Sequence, residues 1–147
     1  MQLQFRVPSG GNNGLAIRYP GQGDPAYAGF EVQVLDDSAE KYAGKLKDYQ
    51  YHGSVYGMVP SHRGYQRAVG EWNFETVTVR GSRFLVMLNG TPILDADTKG
   101  VESHLQGHVG KDNSEGHFGF CGHQDPVEFR AVAIRGLAAA AATGAPK

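Results

Sequence analysis

Apolar and polar positions alternate with a period of two along most of this chain. Leu3, Phe5 and Val7 are separated by polar residues, and Phe30, Val32 and Val34 alternate with Glu31 and Gln33. Successive side chains of a strand point to opposite faces, so each run predicts a strand with one face suited to a core. Leu15-Ala16-Ile17-Arg18 predicts another strand, after a turn-rich break over Pro8 to Gly14. Trp72 to Val79 and Arg83 to Leu88 are rich in β-branched and aromatic residues and flank Arg80-Gly81-Ser82, which reads as a hairpin. Asn89-Gly90 is the favoured two-residue turn ahead of Thr91 to Leu94. His117 to Phe120 and Val127 to Leu137 predict the last two strands.

The remainder is punctuation. Asp36-Asp37-Ser38 predicts a cap for a short helical turn over Ala39 to Gly44. The segment from Tyr19-Pro20-Gly21 to Ala28 reads as loop, Tyr49 to Met58 as aromatic and partly extended, and 98–115 as polar loop. Many short strands, glycine turns and hardly any helical period predict an all-β sandwich or jelly roll. It forms one domain over 1–137, followed by a small-residue, Ala-rich tail over 138–147 that is expected to be flexible. One sheet of such a fold is often concave, and its outer face can cradle an extended ligand such as a glycan.

Composition narrows the partners. The 147 residues suffice for a real core. Fourteen basic residues against fifteen acidic ones give a net charge of −1, which offers no broad attraction for nucleic acid or an anionic membrane. The single cysteine, Cys121, rules out an intrachain disulfide and a cysteine-built zinc site. No apolar run has the length of a membrane span, and no signal peptide is visible in the chain.

The octet Gly29 to Asp36 carries the first chemical signal. Phe30, Val32 and Val34 suit a core, while Glu31 and Gln33 share the other face. A carboxylate and an amide in line on a sheet face can grip or protonate a polar ligand. Metal binding is weakly supported. His104 and His108 have helical i, i+4 spacing, but Gly107 lies between them and no third ligand is evident. Asp95, Asp97 and Asp112 lack the ligand spacing of a dedicated calcium loop and read as solvated. No cofactor is expected.

Four phrases in order resemble one family. They are Asn12-Asn13-Gly14-Leu15-Ala16-Ile17-Arg18, then Gly29 to Asp36, then Gly70-Glu71-Trp72-Asn73 with Leu88-Asn89-Gly90. The last is Gly116-His117-Phe118-Gly119-Phe120 with His123, followed by Val127-Glu128-Phe129-Arg130. Together they are similar to the 3-keto-disaccharide hydrolase domain, whose fold is a concanavalin- or laminin-G-like jelly-roll β-sandwich. The chain departs from that family in two places. The family carries a further segment before Leu3 with its first strands, so an incomplete sandwich is expected here. A Gln of the family is replaced by Cys121, close to His123.

The resemblance implies cleavage of glycosides whose sugar C3 hydroxyl has been oxidised to a ketone. A C3 ketone acidifies the C2 proton, so a base can remove it, the C1 substituent can leave, and water can add to the unsaturated product. Such a site needs a base, a donor for the leaving oxygen and groups to hold the enolate. The resemblance makes Glu31 and His123 the acid/base candidates, with Asn12, Arg18 and Gln33 positioning the substrate. Tyr56 and Trp72 are candidates to stack on a sugar ring. A salt bridge between Glu31 and Arg18 on neighbouring strands is the structural alternative for that pair, and a core position is the alternative for Trp72. The alternatives to an enzyme are a non-catalytic carbohydrate-binding module and a structural β-sandwich. The family's setting implies a periplasmic or secreted protein. An open edge along the strand from Val127 to Arg135 would invite a second copy, by edge-to-edge dimerisation or strand exchange.

Overall fold

The computed structural model describes residues 1–138, so the Ala-rich tail expected over 138–147 lies almost wholly outside the described residues. Among the described residues, eight strands make two antiparallel sheets. They are β1 (Gln2–Arg6), β2 (Asn12–Tyr19), β3 (Phe30–Leu35), β4 (Asn73–Arg80), β5 (Arg83–Leu88), β6 (Thr91–Asp97), β7 (His117–Phe120) and β8 (Glu128–Ala133). One sheet has the order β6-β5-β4-β1-β8 and the other the order β3-β2-β7. This is the expected all-β sandwich.

The alternating apolar residues fill the space between the sheets. Leu3 and Phe5 of β1, Val77 of β4 and Phe84, Val86 and Leu88 of β5 meet Leu15 of β2 and Phe30, Val32 and Val34 of β3. The Phe30 and Phe84 rings contact each other with centroids 5.1 Å apart. Burying each such side chain contributes about 2–3 kcal/mol. The β5–β6 turn has the chemistry foreseen for it, since Asn89 and Gly90 both take positive φ, 50° and 88°.

Several boundaries differ from expectation. β6 runs on to Asp97, because Asp95 and Asp97 pair with Leu85 and Arg83 of β5. The segment Tyr49 to Met58 is not a strand. A one-turn helix at Asp48–Gln50 is followed by a loop with isolated bridges from Val55 to Val32 and Val59. The helical turn expected over Ala39 to Gly44 is a single turn, Glu40–Tyr42. A short helix, α1 (Pro25–Ala28), occupies the stretch read as loop; Asp24 caps it and Pro25 starts it.

Both strands next to the chain's last turn lie at sheet edges. β8 pairs with β1 alone and β7 with β2 alone. β8 is bulged, however: Ala131 has φ 50° and its register against β1 shifts between Gln2 and Gln4. A bulge of this kind blunts an edge strand against pairing.

Candidate functional site

Strand β3 is buried on both faces. Its inward residues join the core, but Glu31 and Gln33 on the other face are each only 4% exposed. That face is therefore not solvated. It is roofed by α1, by the loop around Tyr56 and by the turn that follows β7, and between them lies a cavity of about 420 Å³. Asn12, Glu31, Gln33, Tyr56 and His123 all line it, so five of the seven residues singled out in the sequence converge.

Local sequence explains how Glu31 comes to rest there. β2 and β3 pair antiparallel, with Gly14 opposite Gln33 and Ala16 opposite Glu31. The Glu31 side chain lies across Gly14, so a Cβ on that residue would collide with Glu31 Oε1. Only glycine leaves room for the carboxylate. Two hydrogen bonds then fasten the turn after β7 over β2. The Cys121 N–H donates to the Gly14 carbonyl at 2.8 Å, and the Asn12 N–H donates to Asp125 Oδ2 at 3.0 Å. This brings the exposed His123 to the cavity rim.

The polar atoms facing the cavity are left partly unused. Glu31 Oε1 and Asn12 Oδ1 are buried acceptors with no hydrogen-bond partner. Gln33 Oε1 accepts from the Val34 N–H at 3.1 Å, which leaves the NH2 end of that amide. The Tyr56 N–H donates to the Glu31 carbonyl at 2.8 Å, while its hydroxyl accepts from Gln50 Nε2 at 3.0 Å. Buried polar atoms normally find partners, so these two orphaned acceptors are an unusual feature of the residues that form the cavity wall.

Burial, helped by the nearby Asp24 charge, raises the Glu31 carboxyl from 4.5 to about 7, and a contact with the Cys121 thiol pulls it partly back. A thiol is only a weak donor, and Oε1 has no hydrogen-bond partner. A carboxyl poised near neutrality can both take and return a proton.

Arg18 and Trp72 are not part of this cavity. β2 does lie beside β3, but Arg18 has φ 53° and sits where the β2–β7 register shifts, between Ala16 and Tyr19. The bulge turns its side chain away from Glu31. Its guanidinium instead donates to the carbonyls of Asn113 at 3.1 Å and Gly81 at 2.6 Å, bridging to the β4–β5 turn of the other sheet. No Arg18–Glu31 salt bridge forms. Trp72 stands just before β4, with the Arg130 and Arg6 guanidinium groups 3.8 and 4.9 Å from its ring centroid. The histidines with metal-like spacing have structural partners: His108 lies 2.7 Å from both the Gly29 carbonyl and Ser103 Oγ, and His104 stacks on Tyr49.

Sequence reasoning missed Asp24 and Tyr27, which also line the cavity. Asp24-Pro25 is a helix-start signal that would have turned the loop into α1 and placed both residues on it. With Phe120, Tyr27 supplies aromatic surface to the walls.

Residues 1–135 match the family of the 3-keto-alpha-glucoside-1,2-lyase-like domain, and the chain belongs to that family. No curated protein matches the chain. Three solved structures of Parabacteroides distasonis ATCC 8503 proteins, provisionally assigned as glycosyl hydrolases, are similar in fold. One aligns with TM-score 0.69 at 21% identity, over 89% of this chain and 76% of that one. Another gives 0.65 at 22%, over 87% and 65%, and a third 0.56 at 22%, over 88% and 59%. The chain thus spans between 59% and 76% of the length of these structures.

Proposed function

We propose that this member of the 3-keto-alpha-glucoside-1,2-lyase-like family cleaves 3-keto-glycosides in the cavity built around Glu31. The observation that carries the reading is a buried carboxyl of pKa about 7 in the wall of a polar cavity large enough for a sugar ring. Asn12, Glu31 and Gln33 bring polar side chains to the cavity wall for a sugar's hydroxyls, and Tyr27 and Phe120 offer apolar surface for a ring face. A polyhydroxylated ring satisfies all of these together.

The chemistry follows from the ketone. Glu31 as carboxylate takes the C2 proton, and the electron pair delocalises onto the C3 oxygen as an enolate. The Gln33 amide and the Tyr56 hydroxyl are the donors within the cavity that can hold such an oxygen. The enolate then reforms the ketone while a C1=C2 double bond forms and the C1–O bond breaks. The departing oxygen receives its proton from His123 at the rim. Water added across the double bond, its proton at C2 and its hydroxyl at C1, completes a net hydrolysis. Unlike an ordinary glycosidase, this route needs no second carboxylate facing an oxocarbenium ion.

The test is to incubate the protein with a 3-keto-glucoside and with its unoxidised parent, in D2O as well as in water. Release of the aglycone from the keto form alone, with deuterium appearing at C2, is expected. Binding of either sugar without turnover would overturn the catalytic reading in favour of a carbohydrate-binding module.

A further inference from the structure

Two residues that frame Glu31 have no role in the scheme above. Asp24 comes from the start of α1 and Cys121 from the end of β7, and both line the cavity. Each is held firmly. Asp24 Oδ1 accepts from the Ala26 N–H at 3.0 Å, and α1 is clamped at its far end, where Gly110 N–H donates to the Tyr27 carbonyl and Asn113 Nδ2 to the Ala28 carbonyl. Cys121 is bonded through its backbone to Gly14, the residue over which the Glu31 carboxylate lies. The buried thiol thereby shares one cavity wall with that carboxylate, 7% exposed.

We propose that Asp24 and Cys121 are positioning residues for Glu31, acting in opposite senses to decide where its proton sits. The proposal rests on Glu31 as the acid/base group. Asp24 presents a second negative charge to the cavity, which favours the protonated carboxyl. Cys121 offers an S–H, which favours the carboxylate. Burial and the two neighbouring carboxylates push the Cys121 thiol far above its ordinary range, so it stays protonated and remains a donor throughout the working pH. It is the reverse of a reactive thiolate. The other titratable groups facing Glu31 are Tyr27 on α1, Tyr56 on the roofing loop and His123 on the turn. β2 contributes none, presenting Gly14 and Ala16 there.

The experiment titrates the Glu31 side-chain carboxyl directly, by NMR of protein labelled with 13C at glutamate carboxyls. The resonance missing in Glu31→Gln identifies it. Asp24→Asn keeps the helix cap and should lower the midpoint by roughly half a pH unit or more. Cys121→Ala should raise it by a similar amount, and Cys121→Ser, a stronger donor of similar size, should bring it back to or below the wild-type value. The acidic limb of kcat/KM on a 3-keto-glucoside should move in parallel. Midpoints within about 0.2 unit of wild type in both Asp24→Asn and Cys121→Ala, or shifts of the same sign, would overturn the proposal. So would a higher midpoint in Cys121→Ser. If the midpoints move as expected while the wild type leaves the keto sugar intact, the positioning stands and the proposed function falls.

Discussion

Among the described residues two glutamates are buried, and their surroundings differ in one respect that matters. Glu75 on β4 is wholly buried in the core, where its Oε2 lies 2.9 Å from His52 Nε2. His52 is held in place by the Phe5 ring, 4.9 Å between centroids, and its Nδ1 accepts the Leu35 N–H at 3.4 Å. His52 Nε2 and both Glu75 oxygens are buried, and none of the three makes a well-aligned hydrogen bond. Glu31 is almost as buried, yet its neighbours are another carboxylate and a weak thiol donor, and an open cavity lies beside it. Glu75 is closed in against His52 with no cavity beside it, whereas Glu31 lines one. Burial alone therefore does not mark a functional carboxyl, and neither does an oxygen without a hydrogen-bond partner, since both Glu75 oxygens are of that kind. A buried carboxyl that lines an accessible space does.

Breaking the core pair should have the largest effect. His52→Ala leaves the Glu75 carboxylate in the core without its partner and should cost about 3–5 kcal/mol of unfolding free energy, measured in urea. Activity per folded molecule should be kept. The site carboxyl should behave in the opposite way. Glu31 binds its proton more tightly folded, at about 7, than at its ordinary 4.5, so its favourable contribution is complete below 4.5 and is lost as pH rises through 7. Glu31→Gln abolishes that loss, and should be more stable than wild type above pH 7.5 by up to about 3 kcal/mol. Equal stability of the two proteins at pH 5 and pH 8 would show that the site does not strain the fold.

The bed under Glu31 can be tested alone. Gly14→Ala places a methyl group where the carboxylate lies, and kcat/KM should fall about 100-fold, the scale expected for a displacement of about 1 Å. The β2–β3 ladder should persist, as judged by amide exchange. Smallest are the effects at the two residues outside the cavity. Arg18→Gln removes two charged hydrogen bonds to carbonyls and should cost about 2 kcal/mol of stability, and Trp72→Ala about 1 kcal/mol from its guanidinium contacts. Neither should change kcat/KM more than about threefold, which is under 1 kcal/mol. A larger loss in either would return that residue to the site.

Alternation carried much of the fold and part of the site. It showed Glu31 and Gln33 on one face of β3, because period-two patterning assigns faces without any tertiary knowledge. It failed for Arg18, where a bulge with positive φ breaks the period, a feature a non-glycine residue does not announce. Glu75 falls on an inward position of β4, between Asn73 and Val77, while the apolar Phe74 faces out, so residue type in this strand did not reveal the burial. Nor did it reveal the neighbour, since His52 arrives from a loop that obeys no period. Tyr49 to Met58 read as extended because it is aromatic, whereas its backbone serves chiefly to roof the cavity. Trp72 was assigned by its side-chain type alone, and only the fold places Arg6 and Arg130 against its ring.

The central claim is that the Glu31 carboxyl performs proton transfer. It is tested most directly by kcat/KM for wild type and Glu31→Gln on a 3-keto-glucoside at pH 7. The amide keeps the volume and cannot take the C2 proton, so a loss of about 10²–10⁴-fold is predicted, with the variant still folded. Turnover by Glu31→Gln within about threefold of wild type would contradict the account.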